Sequence, residues 1–371
     1  MNKVFKTFHS GRAIFFLMVF ICCIVGAVVL KLAASIILPF IIAILLALVM
    51  YPLIKLLDII RCPRVISILL IVFIVVAGMF LFVIVLFESG RVIVDQVLQE
   101  DNIYAQRIQS VYDWMAETFN LPNDEEQSLW NSLMELPDVV NALQRMATSI
   151  SIASFRFITS AVLMVIFLVF ILVETNFLKL KITAAFENRI GNFDHMGKEI
   201  MRQVTRYLGA KFLFSLANGI IYAVGFARVG LEFAVVWGVV QFLLNFIPTL
   251  GSIAGGVIIT SFALLQFWPD PTPVIIVLAI ILGVNLILSN LLDPKIIGDH
   301  VGLSPLVILV SLSLWGYIWG FAGMVIAVPM TVIIKIVCEH IPILEPVSIL
   351  IGSKRSVQKR KAESEKNETH P

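Results

Sequence analysis

The chain has 371 residues, of which 59% are hydrophobic and only 14% charged, against about 25% charged in an average soluble domain. A net charge of +2 gives no electrostatic reason for a nucleic-acid partner. No soluble core hides this much apolar surface, so lipid must solvate part of it and the bilayer is one partner.

The apolar runs fall at 13–30, 32–50, 65–87, 152–173, 207–227, 232–247, 252–268, 273–292, 304–320 and 321–338. Most are long enough for a helix rising 1.5 Å per residue to cross the roughly 30 Å hydrocarbon core. The pairs 232–268 and 304–338 are shorter and broken by Pro or Gly, so each reads either as two crossings or as one re-entrant hairpin. The predicted fold is therefore an all-α polytopic membrane protein with about eight transmembrane helices, within limits of about six and ten. Pro39 and Pro329 lie inside apolar runs, where proline predicts kinks.

The chain divides into four segments. Residues 1–87 carry the first transmembrane helices, and 88–150 form a soluble insertion. Residues 151–340 hold the C-terminal transmembrane core, and 341–371 a charged tail without apolar periodicity. The first run follows Lys3, Lys6 and Arg12 but is longer than a signal-peptide core and has no small-residue cleavage site, so it reads as a retained span. With the N-terminus in the cytoplasm, 18 of the 27 basic residues fall on the inner side, which places both termini inside and the insertion outside. The insertion carries eleven acids and three arginines. Ile103, Ile108, Val111, Trp114, Met115 and Phe119 recur at helical spacing, and a second helix is predicted from about Glu125. It reads as a helical cap on the membrane domain or as an acidic vestibule that concentrates cations.

Enzyme signatures are absent. There is no G-x-x-x-x-G-K-[ST], no H-E-x-x-H and no G-x-S-x-G. Cys22, Cys23, Cys62 and Cys338 have no C-x-x-C spacing, so neither a metal site nor a disulfide framework is implied. No cofactor and no catalysis are expected. A secondary transporter or a channel remains.

Two constellations stand where hydrocarbon penalises polar groups. In the first, Asn285, Ser289 and Asp293 share one helical face by fours, with Asn290 beside them. A carboxylate at membrane depth costs about 2.5–3.5 kcal/mol. Asp293 therefore reads either as a proton or cation carrier or, with Pro294 and Lys295, as part of a loop at the surface. The second is N-F-I-P-T-L-G-S-I-A-G-G from Asn245. Pro248 breaks a helix, Gly251 permits positive φ, and Ser252 can cap the helix that follows. Gln241 and Asn245, at i and i+4, line a pathway or bond between helices, and Thr249 adds a hydroxyl. Gly255 and Gly256 either open a ligand site or allow close packing. Pro294, Gly298, Gly302, Pro305 and Pro329 are candidate gating points. Trp315, Tyr317 and Trp319 suit an interfacial aromatic belt.

These motifs carry a family resemblance. Leu38-Pro39-Phe40, Tyr51-Pro52-Leu53, V-W-G-V-V-Q-F-L-L-N-F-I-P-T-L-G-S at Val236–Ser252, L-L-D-P-K-I-I-G-D-H-V-G-L-S-P-L at Leu291–Leu306 and W-G-Y-I-W-G-F-A-G-M-V-I-A-V-P at Trp315–Pro329 together resemble the autoinducer-2 exporter family of bacterial membrane proteins. The resemblance implies a multi-span inner-membrane transporter without ATPase, acting as a homo-oligomer. Some family members look like exporters of the quorum-sensing signal autoinducer-2. Others are linked to sodium(lithium)/proton antiport. The expected partner is accordingly a small polar molecule or a cation. An alternative of another class is a membrane scaffold whose working part is the insertion.

Overall fold

The computed structural model describes residues 24–97, 103–119, 155–175, 193–292 and 302–353, with isolated positions besides. Helices account for nearly all of it. After a helical stretch at 24–32 come α1 (Ala34–Ile59), α2 (Arg64–Val97), α3 (Ile103–Phe119), α4 (Phe155–Thr175), α5 (Phe193–Val229), α6 (Ala234–Leu244), α7 (Leu250–Phe267), α8 (Pro271–Val284), α9 (Pro305–His340) and α10 (Glu345–Ile351). Among the described residues seven helices are long and apolar enough to cross a membrane, and α6 is a shorter apolar one. The chain is an all-α, multi-span membrane protein. The second helix expected from Glu125, and the tail beyond Ser353 apart from an isolated position, lie outside the described residues.

Local chemistry sets several helix ends. α1 runs unbroken through Pro39 and Pro52. It stops where Cys62 N–H reaches back to Leu57 O at 3.1 Å and Arg61 N–H to Asp58 O at 3.0 Å, with Arg61 at φ 59. α5 ends by the same pair of bonds, Leu231 to Phe226 and Gly230 to Ala227, and here glycine takes the left-handed position at φ 80. α8 starts on Asp270, whose Oδ1 accepts from the Thr272 amide at 2.9 Å, with Pro271 beginning the helix. That hydrogen bond holds the Asp270 carboxyl below the usual aspartate range.

The chain forms two compact units. One comprises Met1–Leu48, Leu163–Met201 and Gly302–Pro371, the other Val49–Val162 and Arg202–Val301.

In the first unit α9 is not one rod. At 1.5 Å per residue, 36 residues would extend about 54 Å. Instead Trp319 (φ −126) and Gly320 (φ 62) leave helical geometry and the chain folds back. Ser311 Oγ donates to Ala327 O at 3.1 Å and meets the Thr331 hydroxyl, which registers the two legs. A Cβ on Gly323 would overlap the Trp315 carbonyl, so only glycine lets the legs close. The ambiguous pair at 304–338 is thus a helical hairpin. The kink predicted at Pro329 is not the break: Pro329 is buried, the backbone stays helical through it, and the turn falls at Trp319–Gly320. The expected aromatic belt also needs correction. Trp315 and Trp319 stack with centroids 4.9 Å apart and are buried, and the Trp319 indole donates to Leu30 O at 2.9 Å. Only Tyr317 faces outward, under the Lys31 ammonium at 3.9 Å.

In the second unit α6, α7 and α8 pack in sequence. Tyr222, Phe226, Leu231, Ala234, Ile259, Ala263, Val277 and Ile281 form their shared core. α3, in the segment expected to form the insertion, packs against α7 and α2, with Trp114 edge-on to Trp268 at 5.3 Å.

Candidate functional site

Within the second unit α5 carries a polar stripe in an otherwise apolar stretch. Lys211, Ser215, Asn218 and Tyr222 follow at i, i+4, i+7 and i+11, one helical face, and all four are buried. α6 answers with Gly238, Gln241 and Asn245, again one face. The helices touch backbone to backbone where these faces meet. A Cβ on Gly219 would lie 2.8 Å from Gly238 O, and one on Gly238 would lie 2.6 Å from Gly219 O. Small residues at a crossing are how apolar helices approach closely in lipid. Beyond the crossing, Asn245 Nδ2 donates to Ser215 Oγ at 3.0 Å. Asn218 and Gln241 therefore lie in the layer between the Gly219–Gly238 contact and the Ser215–Asn245 bond. Gln241 seats its carboxamide on Gly255 of α7, where an added Cβ would stand 2.5 Å from Nε2 and 2.8 Å from Cδ.

The α6–α7 turn is the interruption expected at Asn245–Ser252. α6 has 11 residues and rises about 16 Å, too little to cross the roughly 30 Å hydrocarbon core. Its partner α7 has 18 residues. The pair is a helical hairpin with one short leg. Its turn satisfies much of its own backbone: Asn245 N–H donates to Gln241 O, Phe246 to Leu243, Ile247 to Leu244, Leu250 to Pro248 and Gly251 to Ile247. Pro248 brings no N–H to satisfy. Irregular backbone next to apolar helices is tolerated in hydrocarbon only with this kind of closure.

Two expectations about the turn are corrected. The positive φ belongs to Thr249 (φ 64), not to Gly251. Gly251 is required for space instead, because a Cβ there would overlap the Leu244 carbonyl. Nor does Ser252 cap α7. Thr249 occupies the cap position without a side-chain bond, and Ser252 Oγ donates back to Thr249 O at 3.0 Å.

Of the expected site residues, the structure brings Gln241, Asn245, Pro248, Thr249, Gly251 and Ser252 together in this hairpin, with Gln241, Asn245 and Gly251 buried and Thr249 exposed. Asn285 begins a π-helical segment, Asn285–Leu292, and its Oδ1 is buried with no hydrogen-bond partner among the described residues. With i→i+5 bonding and about 4.4 residues per turn, this segment brings position 290 within about 50° of position 285. An α-helix would set them about 140° apart. Asp293, Pro294 and Gly298 lie outside the described residues. Gly302 takes φ 57, and Pro305 starts the first leg of α9 behind Ser304. Next to them Leu303 pairs with Gly352 as an isolated bridge, through Ser304 N–H to Ile351 O at 3.1 Å and Ser353 N–H to Gly302 O at 2.9 Å.

Sequence reasoning missed Lys211, Ser215 and Asn218, although K-x-x-x-S-x-x-N inside an apolar run was a visible signal. A basic residue within such a run costs about 2.5–3.5 kcal/mol and marks function by default. It also missed Lys335 in the first unit, buried and 3.5 Å from Glu339, and His340, 3.7 Å from Glu199. The buried polar residues described are Ser67, Lys211, Ser215, Asn218, Gln241, Asn245, Gln266, Ser311, Thr331, Lys335 and Ser348. Among them there are hydroxyls, amides and two lysines, and no carboxylate.

Polar faces inside apolar helices, two of which are hairpins, suit a permeation protein, and the comparison with known families names the family. The model described as AI-2E family transporter matches residues 14–343. The chain belongs to that family. Similar AI-2E relatives include a protein of Haemophilus influenzae named "Putative transport protein", 27% identical over 87% of this chain and 91% of its own length. The "AI-2 transport protein TqsA" of Escherichia coli is 28% identical over 87% of this chain and 91% of its own length. Another "Putative transport protein", from Borreliella burgdorferi, is 34% identical over 53% of this chain and 54% of its own length. The AI-2E match runs through the α5–α6 polar layer, the α6–α7 turn and most of the α9 hairpin, so these features lie inside the part of the chain that defines family membership. The chain is a multi-span membrane protein of a bacterial transporter family.

Proposed function

We propose that this AI-2E protein is a secondary transporter that exports a small polar metabolite or signal, such as autoinducer-2, across the bacterial inner membrane with both termini in the cytoplasm. The observation that carries the reading is the buried amide and hydroxyl layer of α5 and α6 beside the self-bonded α6–α7 turn. A membrane anchor has no use for Ser215, Asn218, Gln241 and Asn245 inside apolar helices, since each costs free energy unless it meets a polar partner. The name of the E. coli relative adds support for autoinducer-2 as the cargo. The pathway in this proposal runs past Gln241, Asn245, Pro248, Thr249, Gly251, Ser252, Asn285 and Asn290. Gating falls to the positions around Pro294, Gly298, Gly302, Pro305 and Pro329, and the working assembly is a homo-oligomer.

Sodium(lithium)/proton exchange through Asp293 is the second reading. Against it stands the lack of any carboxylate among the fully buried residues described; in its favour are the largely buried pairs Lys335–Glu339 and His340–Glu199. The test is transport by the purified chain in proteoliposomes, with autoinducer-2 and separately with sodium under an imposed proton gradient. Autoinducer-2 flux without a sodium-driven pH change supports export. A pH change on adding sodium, abolished by Asp293→Asn, supports exchange. No flux of either refutes both and leaves the scaffold reading.

A further inference from the structure

We infer that Asn218 and Gln241 are the solute-recognising pair of this transporter and that they select a neutral polyhydroxylated molecule. The inference rests on the transport reading above and narrows it to a site and a ligand class. Asn218 Oδ1 and Gln241 Nε2 are buried and have no hydrogen-bond partner among the described residues, and both side chains are 1% exposed. Each orphaned group costs about 1–3 kcal/mol in an apolar layer. Were the layer only interhelical glue, these two atoms would bond to each other or to their neighbours, as Asn245 Nδ2 does to Ser215 Oγ. Instead one acceptor and one donor are held unpaired between the Gly219–Gly238 crossing and the Ser215–Asn245 bond.

Gly255 explains how the donor is held. Its missing side chain leaves the seat for the Gln241 carboxamide, so the donor is positioned by packing rather than by a protein hydrogen bond. A hydroxyl group donates and accepts, and so satisfies both atoms. A bare cation would shed its hydration and find no buried carboxylate among the described residues, while the basic Lys211 stands on the same α5 face seven residues before Asn218. An organic acid brings a charge to desolvate, and a carboxylate has no proton to donate to the acceptor Oδ1. A neutral diol or polyol meets the donor and the acceptor together without a charge to desolvate.

The test uses the full chain in proteoliposomes with four probes: autoinducer-2, D-ribose, glycerate and sodium. The variants are Asn218→Leu, Gln241→Met and Gly255→Ala, with Gly78→Ala, which has nothing within 4 Å of the added Cβ, as the control. The expected result is uptake of one or both neutral probes by the parent chain. Asn218→Leu and Gln241→Met should each raise KM by about 3- to 15-fold, the worth of one hydrogen bond. Gly255→Ala should raise KM comparably although it removes no polar atom, and Gly78→Ala should leave it unchanged. Neutral uptake with unaltered KM in all three well-folded variants overturns the site but leaves transport standing. Uptake of glycerate or sodium with neither neutral probe overturns the ligand class, a result the parent chain alone delivers if a variant fails to fold. No uptake of any probe overturns the transport reading itself.

Discussion

Replacing Gly251 with alanine tests whether the α6–α7 turn is the built feature that its geometry indicates. The added Cβ would overlap the Leu244 carbonyl oxygen and stand 2.6 Å from the Leu244 carbonyl carbon, where carbon–carbon contact needs about 3.5 Å or more. About 1 Å must therefore open between the last turn of α6 and the first turn of α7. The obstacle is backbone, and the Ile247–Gly251 and Leu244–Ile247 bonds tie it in place, so no rotamer change relieves it. Overpacking against flexible side chains costs about 1–3 kcal/mol. Alanine recovers only about 0.5–1 kcal/mol of helix propensity at an interior position. With a rigid backbone obstacle the cost sits at the top of that range, so a net loss of about 2–2.5 kcal/mol follows, a rise of roughly 30- to 70-fold in the unfolding equilibrium. Thermal unfolding of the purified chain in detergent, followed by tryptophan fluorescence, measures it against Gly78→Ala, which has open space around the added methyl and should gain rather than lose. If Gly251→Ala melts at or above the parent temperature, the close approach of Leu244 and Gly251 is not a constraint and the turn is looser than described here.

The same logic gives Gly323→Ala a comparable loss, since its Cβ would meet the Trp315 carbonyl in the α9 hairpin; equal melting of variant and parent would refute it. Gln266→Leu removes a buried amide that accepts from Glu232 N–H at 2.8 Å and donates to Gly230 O at 2.8 Å. Two backbone groups then lose their partner, at about 1–3 kcal/mol each where they stay out of water, and urea unfolding should show a clearly lower midpoint. Trp319→Phe keeps the ring on Trp315 but deletes the bond to Leu30 O. A loss of about 1 kcal/mol is expected, and faster hydrogen exchange around Leu30 would report it.

The all-α, multi-span class was legible because hydropathy depends on local composition, and lipid reads composition directly. The hairpins were only half legible. Pro248 and the glycines marked 232–268 as broken, but a hydropathy run is the same whether the chain continues or folds back. What separates the two is a contact between residues seven or eight apart, Leu244 with Gly251 and Trp315 with Gly323, that no periodicity reveals. Pro329 misled for a related reason. Proline removes a helix hydrogen bond, yet a buried proline on a well-packed leg keeps helical geometry, and Gly320, which can take positive φ without strain, turns the chain instead. The tryptophans misled because their interfacial preference is an average, overridden where Trp319 finds the Leu30 carbonyl. Gln241 and Asn245 were found since they flank a proline break. Lys211, Ser215 and Asn218 were overlooked since no break draws attention to them; only their spacing of four and three in an apolar helix exposes a face.

The two hairpins solve one physical problem by one plan. Each has a short first leg, 11 residues in α6 and about 15 before Trp319, too short to span hydrocarbon. Each turns on a residue of positive φ, Thr249 or Gly320, and each closes on a glycine pressed against a carbonyl from the leg before it. Where they differ is in their polar content. The α9 hairpin spends its hydroxyls internally, Ser311 on Ala327 and Thr331, which fixes the register of two legs and leaves nothing to offer a solute. The α6 leg offers its amides outward to α5 and to Gly255, and one of them, Gln241, stays unspent. A leg whose hydroxyls bond internally is a structural wedge; the α6 leg instead keeps a buried donor, Gln241 Nε2, without a partner among the described residues. On the proposed reading, removing a polar group should cost stability in α9 but solute affinity in α6.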